Sequence, residues 1–100
     1  MPEPSEHRLT IFDFRAQDNE HHILTALLNS SGDLVLEGYD IGPSVEKFFG
    51  DSDYEYWRTV KAEHVPLVLL HLIKDRFEKE SDLKAWLDEK GIPSEFSSYS

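Results

Sequence analysis

The sequence predicts an α+β fold: an antiparallel sheet of three to four strands, a short helix between strands three and four, and two C-terminal helices packed on one face. Three observations predict it. Runs rich in β-branched and aromatic residues, separated by polar turns, fill the chain from Leu9 to Val60. One proline-led helical signal, Gly42-Pro43-Ser44, interrupts them. From His64 onward the apolar period lengthens from two to between three and four. Strands first and helices last favour an antiparallel sheet covered by helices over an alternating parallel design.

A chain of 100 residues has room for one domain, residues 1–100, with residues 1–7 expected to be flexible because Met1 to Glu6 holds two prolines, two glutamates and a serine. Residues 9–15 read as the first strand, with Leu9 and Ile11 on one side and Thr10, Phe12 and Phe14 on the other. Residues 17–20, Gln-Asp-Asn-Glu, form a polar turn into the second strand, residues 22–28. The strongest turn signal is Asn29-Ser30-Ser31-Gly32-Asp33, a hairpin loop into a third strand at 34–39. There Leu34 and Leu36 share a face, and Glu37 and Tyr39 take the other.

Pro43 opens a short helix through residue 49, with Val45, Phe48 and Phe49 inward and Gly50 as a left-handed stop. The fourth strand, residues 54–60, sets Trp57 and Thr59 opposite Tyr56, Arg58 and Val60, with Trp57 expected in the core. A helix from 65 to about 79 follows, with Leu69, Ile73 and Phe77 at four-residue spacing. Ser81 is the expected N-cap of the last helix, 82–90, which carries Leu83, Trp86 and Leu87 inward. Gly91 ends that helix, Ile92 folds back onto Leu87, and Pro93 prevents resumption. Residues 95–99 suggest a short edge strand.

Charge narrows the function. Twenty acidic residues against ten basic ones give a net charge of −10, which repels phosphate backbones and anionic lipid heads. Nucleic-acid and membrane-surface partners are therefore disfavoured. The longest apolar stretch, residues 65–73, is far shorter than the roughly 20 residues a membrane span needs. The start has no basic leader and no apolar run, so no signal peptide is expected and a cytoplasmic location is. With no cysteine, disulfides and thiolate chemistry drop out.

The acids are unevenly spread. Asp33, Glu37, Asp40, Glu46, Asp51, Asp53 and Glu55 stand against Lys47 alone, seven acids and one base for a net −6. Asp51 and Asp53, one residue apart in a loop, are candidate ligands for a hard cation, although the twelve-residue spacing of a calcium hand is missing. The bland reading makes them turn formers after Gly50. Histidines 21 and 22 are neighbours on a strand and point to opposite faces, and His64 and His71 are two helical turns apart. Surface or capping roles suit all five histidines better than a metal site. No Gly-x-Ser-x-Gly elbow and no phosphate-cradling glycine loop is present, and no cofactor is called for.

Aromatics interleave with these acids at Tyr39, Tyr54, Tyr56 and Trp57. Such a mixture suits a surface that meets a basic partner, with the aromatics as anchors. The run Gly38-Tyr39-Asp40-Ile41-Gly42-Pro43-Ser44-Val45-Glu46, followed by Gly50-Asp51-Ser52-Asp53-Tyr54-Glu55-Tyr56 and later Gly91-Ile92-Pro93, resembles a group of small acidic bacterial proteins of unknown function that share a Gly-x-Asp-x-Gly-Pro-x-Val-Glu stretch. The resemblance covers the chain from Leu34 onward and implies a bacterial source but no activity.

Three classes of function remain. The favoured one is a non-enzymatic interaction module, inhibitor- or immunity-like, binding a basic protein through Asp40, Glu46, Asp51, Asp53, Tyr54 and Tyr56. The alternatives are a small metal-dependent enzyme or metal-binding regulator using Asp51 and Asp53, and a domain that binds a small ligand among the aromatics of strands three and four.

Overall fold

A computed structural model describes residues 7–50 and 53–99. The segment expected to be flexible, up to Glu6, lies outside the described residues, as do Asp51 and Ser52. The elements are β1 (His7–Arg15), β2 (His21–Leu28), β3 (Leu34–Ile41), α1 (Pro43–Phe49), β4 (Asp53–Val60), a one-turn 3₁₀ segment (Ala62–His64), α2 (Val65–Arg76) and α3 (Glu80–Glu89). They form an α+β chain with a four-stranded antiparallel sheet, a short helix between β3 and β4, and two C-terminal helices. The chain divides into two units, with the boundary between Val65 and Pro66.

In the first unit the strands lie in sequence order, β1-β2-β3-β4. The pairs His22↔Asp40, Leu24↔Gly38 and Gly38↔Tyr56 fix which side chains share a face. His22, Leu24, Leu36, Gly38, Asp40, Tyr54 and Tyr56 line one face, called here the His22 face. Ile23, Thr25, Leu27, Glu37, Tyr39, Glu55 and Trp57 line the other, the Thr25 face.

The first strand departs from simple alternation. A bulge between Thr10 and Phe12 inserts Ile11 as an extra residue, because Thr10 pairs with Thr25 while Phe12 pairs with Leu24. One inserted residue flips the parity of everything beyond it. Leu9 therefore shares a face with Phe12 and Phe14, where strict alternation separates them.

Turn chemistry closes the hairpins. Asp18 and Asn19 take the left-handed conformation (φ 65° and 64°) between β1 and β2, a conformation these two residue types tolerate. Between β2 and β3, Asn29 Oδ1 accepts the N–H groups of Ser31 (3.0 Å) and Asp33 (2.9 Å), and Gly32 adopts φ 84°. Asp33 is itself buried, and its Oδ1 accepts the Ala62 N–H at 2.8 Å while Lys61 Nζ reaches Oδ2 at 3.3 Å. The Ala62 N–H, then Asn29 and Lys61, hold the Asp33 carboxyl below the usual carboxylate value against the opposing effect of burial. This carboxylate ties the hairpin loop to the chain leaving β4. Asp33→Ala is expected to lower the melting temperature by roughly 5–10 °C in a CD thermal scan, with Asp33→Asn intermediate because it keeps an acceptor for Ala62.

Among the described residues, Leu27 and Val45 are the buried apolar side chains. Trp57, expected in the core, is 59% exposed, because it stands on the outermost strand and faces out from the Thr25 face. Phe48, expected inward, is 81% exposed, although it lies one turn from the buried Val45 on the seven-residue α1. The expectation for Phe49 lies outside the described side chains. Gly50 ends α1 with φ 83°, its N–H donating to Glu46 O at 2.9 Å, the expected left-handed stop.

In the second unit α2 ends at Arg76, about three residues short of the end near 79 that its periodicity predicts. The cause is Lys79, which is extended (φ −128°, ψ 150°) as the N-cap residue of α3, so the chain must leave helical geometry before it. Ser81 consequently sits inside the first turn and does not cap the helix, and the first-turn acids Glu80 and Asp82 favour this earlier start. Phe77 meets Trp86 edge-to-face at 5.9 Å, linking the two helices. The C-terminus of α3 follows the expected stop: Ile92 N–H donates to Leu87 O (2.9 Å), Gly91 N–H to Asp88 O (3.1 Å), and Gly91 has φ 71°. Residues 95–99 form no strand. Among the described residues, no helix is long and apolar enough to cross a membrane.

Candidate functional site

Two polar clusters stand on opposite faces of the sheet. The first is a clasp at the corner where β2 begins, β3 ends and α1 starts. Gly42 is the N-cap residue of α1 and offers no side chain to satisfy the helix's first N–H groups. Glu20, just before β2, supplies the acceptor. Its Oε1 accepts the Ser44 N–H at 2.7 Å and its Oε2 accepts the Ser44 hydroxyl at 2.9 Å. Gly42 must lack a Cβ for this to happen: one there would lie 2.7 Å from Glu20 Cδ and 2.9 Å from its Cα, at a φ of 135° that side chains rarely adopt.

His22 completes the clasp. Its Nδ1 lies 2.9 Å from Asp40 Oδ1 and its Nε2 2.8 Å from Glu20 Oε2. Ionised carboxylates only accept, so the two contacts are satisfied together when both ring nitrogens donate, an arrangement that favours the imidazolium form. The Asp40 hydrogen bond, then that of Glu20, raises the His22 pKa above its ordinary value. The Ser44 N–H, then its hydroxyl, lowers that of Glu20. Phe14 stacks beside the His22 ring, centroids 6.2 Å apart. No ring nitrogen is left to take a proton from Ser44 or to ligate a metal. The arrangement is a strut between three elements.

Next to it on the His22 face, Tyr54 pairs across from Asp40 and Tyr56 across from Gly38. The two tyrosine rings stack at 5.5 Å. Tyr56 lies flat on the β3 backbone: a Cβ on Gly38 would meet its Cζ at 1.9 Å. Burial there, then Asp40, raises the Tyr56 pKa.

The second cluster is on the Thr25 face. Glu37 stands opposite Trp57 and Tyr39 opposite Glu55, so two carboxylates and two aromatic rings alternate on a square of strand positions. Ile23 and Thr25 complete the lining of a shallow, open trough there. Arg8, reaching over β2, places Nη1 2.9 Å from Glu37 Oε2.

Of the residues expected to bind a partner, Asp40, Tyr54 and Tyr56 thus come together on the His22 face. Asp53, opposite Ile41, takes the Thr25 face beyond Glu55, and Glu46 is exposed on α1. Asp51 lies outside the described residues. Among the described residues, no group of three or more His, Asp or Glu side chains is arranged to hold a metal ion.

Glu20 and the Glu37–Trp57 pairing were not singled out by sequence, which placed Ser44 at the helix start and gave His22 a surface or capping role. Two signals point to the clasp: a Gly-Pro helix start with no cap of its own, and a Glu-x-His spacing that puts both side chains on one side of a strand. No protein-family model, curated protein or solved structure matches the chain.

Proposed function

We propose that this chain is a non-enzymatic protein-interaction module that binds a basic partner through the Thr25 face of β3 and β4. The observation that supports the reading is the alternating square of Glu37, Trp57, Tyr39 and Glu55, with Trp57 59% exposed at its edge. An arginine or lysine laid on the indole has a carboxylate beside it in either direction, which combines ring stacking with charge-assisted hydrogen bonds. Asp53 extends the acidic row, and the net charge of −10 draws a cationic partner in from a distance. Glu37 already accepts the Arg8 guanidinium at 2.9 Å, a contact of the same chemical kind within the chain.

Calorimetric titration with a short arginine-rich peptide tests this. Binding should weaken steeply with salt, and Trp57→Ala and Glu55→Lys should each weaken it about tenfold, roughly 1.4 kcal/mol, without lowering the melting temperature. Glu63→Lys changes the net charge equally but sits away from the square, so it should leave affinity nearly unchanged. Equal losses from Glu55→Lys and Glu63→Lys would reduce the effect to bulk charge and overturn the reading.

A further inference from the structure

We propose that β1 is a self-association edge: two copies of this chain pair β1 against β1, antiparallel about a two-fold axis at Thr10–Ile11, and join their sheets into one of eight strands. Among the described residues, no strand pairs with the outer edge of β1. All nine residues of the strand are exposed, and among them are Leu9 at 76%, Ile11 at 54%, Phe12 at 44% and Phe14 at 55%. A long apolar edge with open N–H and C=O groups is a template for another strand.

Charge indicates which strand. A chain of net charge −10 resists self-contact unless the contact region avoids like charges. Of the two edge strands, β1 carries Arg8 and Arg15 against Asp13, a net +1, whereas β4 is −1 (Asp53, Glu55, Arg58).

The bulge selects the register. Opposed residues in a sheet share a face, and the inserted Ile11 puts Leu9 and Phe12 on the same face. Self-pairing therefore sets Leu9 against the partner's Phe12, His7 against the partner's Phe14, and Arg8 against the partner's Asp13, each twice by symmetry. The next register that keeps the faces matched brings Arg8 against the partner's Arg15 and is repulsive. Arg8 reaches Glu37 two strands away in the single chain; the partner's Asp13 is one strand away. The Arg8–Glu37 pair is exposed on both sides, so giving it up costs little, and Asp13 meets His21 Nε2 (2.8 Å) and Arg15 Nε (3.8 Å) through its Oδ1 alone in these contacts. A bulge ordinarily blunts an edge by twisting it, but at a two-fold axis both copies twist alike and stay matched.

The test uses the full chain. Sedimentation equilibrium should find a dimer at high micromolar concentration, and Ile11→Lys should be monomeric with unchanged far-UV CD. A monomeric wild type, or a dimer that survives Ile11→Lys, overturns the proposal. Because the chain has no cysteine, the register has its own readout. Leu9→Cys mixed with Phe12→Cys should form a disulfide-linked heterodimer on mild oxidation. Leu9→Cys alone should not, since its two copies lie about three residues, roughly 10 Å, apart along the strand, beyond disulfide reach. Equal cross-linking of Leu9→Cys alone would contradict this pairing.

Discussion

Replacing Gly38 with alanine is expected to destabilise the protein by about 2 kcal/mol, measured by urea denaturation. The direction is informative in itself, because alanine in a strand interior is ordinarily favoured over glycine by about 0.5–1 kcal/mol. Here the new Cβ falls 1.9–2.3 Å from three carbons of the Tyr56 ring. A rigid ring held flat on the strand cannot bend away; it has to swing off as a whole. That breaks its stack on Tyr54 and uncovers the β3 backbone. The Tyr56→Ala variant removes the obstruction, so Gly38→Ala should cost far less in the Tyr56→Ala background than in the wild type. A double-mutant cycle with no coupling would show that the ring does not occupy the glycine position.

The second large effect is a loss of stability as pH rises. His22 has a raised pKa in the folded chain, so its contribution is complete below the unfolded value of 6.5 and is lost as pH climbs through the folded pKa. Above that point one ring nitrogen loses its proton, and its hydrogen bond to Asp40 or Glu20 goes with it. Glu20 and Asp33 work in the opposite sense. Their lowered pKa values give stability that is present above the unfolded values of 4.5 and 3.8 and is lost as pH falls through the folded ones. The melting temperature should therefore peak between about pH 4.5 and 6.5 and fall by roughly 5 °C toward pH 9. His22→Gln should flatten the alkaline side. Glu20→Gln should flatten it in part and also lower the peak, because Ser44 loses a charged acceptor. A wild-type profile that is level from pH 6 to 9 would mean the clasp carries no charge on its imidazole. Tyr56, whose pKa is raised from 10.0, stays neutral over this range and does not confuse the reading.

Much of the fold was legible because local chemistry and topology agree. The four strands, the Asn29-to-Asp33 hairpin, the Pro43 helix start, and the Gly50 and Gly91 stops each follow from a residue type whose backbone preference matches its place. What was missed depends on partners distant in sequence. Nothing local marks Ile11 as an extra residue; the bulge appears only when β1 is laid against β2. Ser81 is a good cap by residue type, but Glu80 and Asp82 moved the helix start ahead of it. Trp57 reads as core by composition and is exposed because β4 is an outer strand.

The candidate site followed the same division. Sequence located the acidic and aromatic residues but not the faces they share. Strand register separates Tyr54 and Tyr56 from Asp53 and brings Glu37 and Trp57 together from positions twenty residues apart. It also commits Asp40 to His22, so this carboxylate is a strut where sequence alone placed it among the partner-binding residues.

The binding face can be read directly by NMR. An isotope-labelled chain titrated with an arginine-rich peptide should show its largest shifts at the Trp57 indole N–H and the Glu37, Tyr39 and Glu55 amides, diminishing as salt is added. Shifts confined to the His22 face or to α2 and α3, with the Trp57 indole unmoved, would contradict the proposed surface.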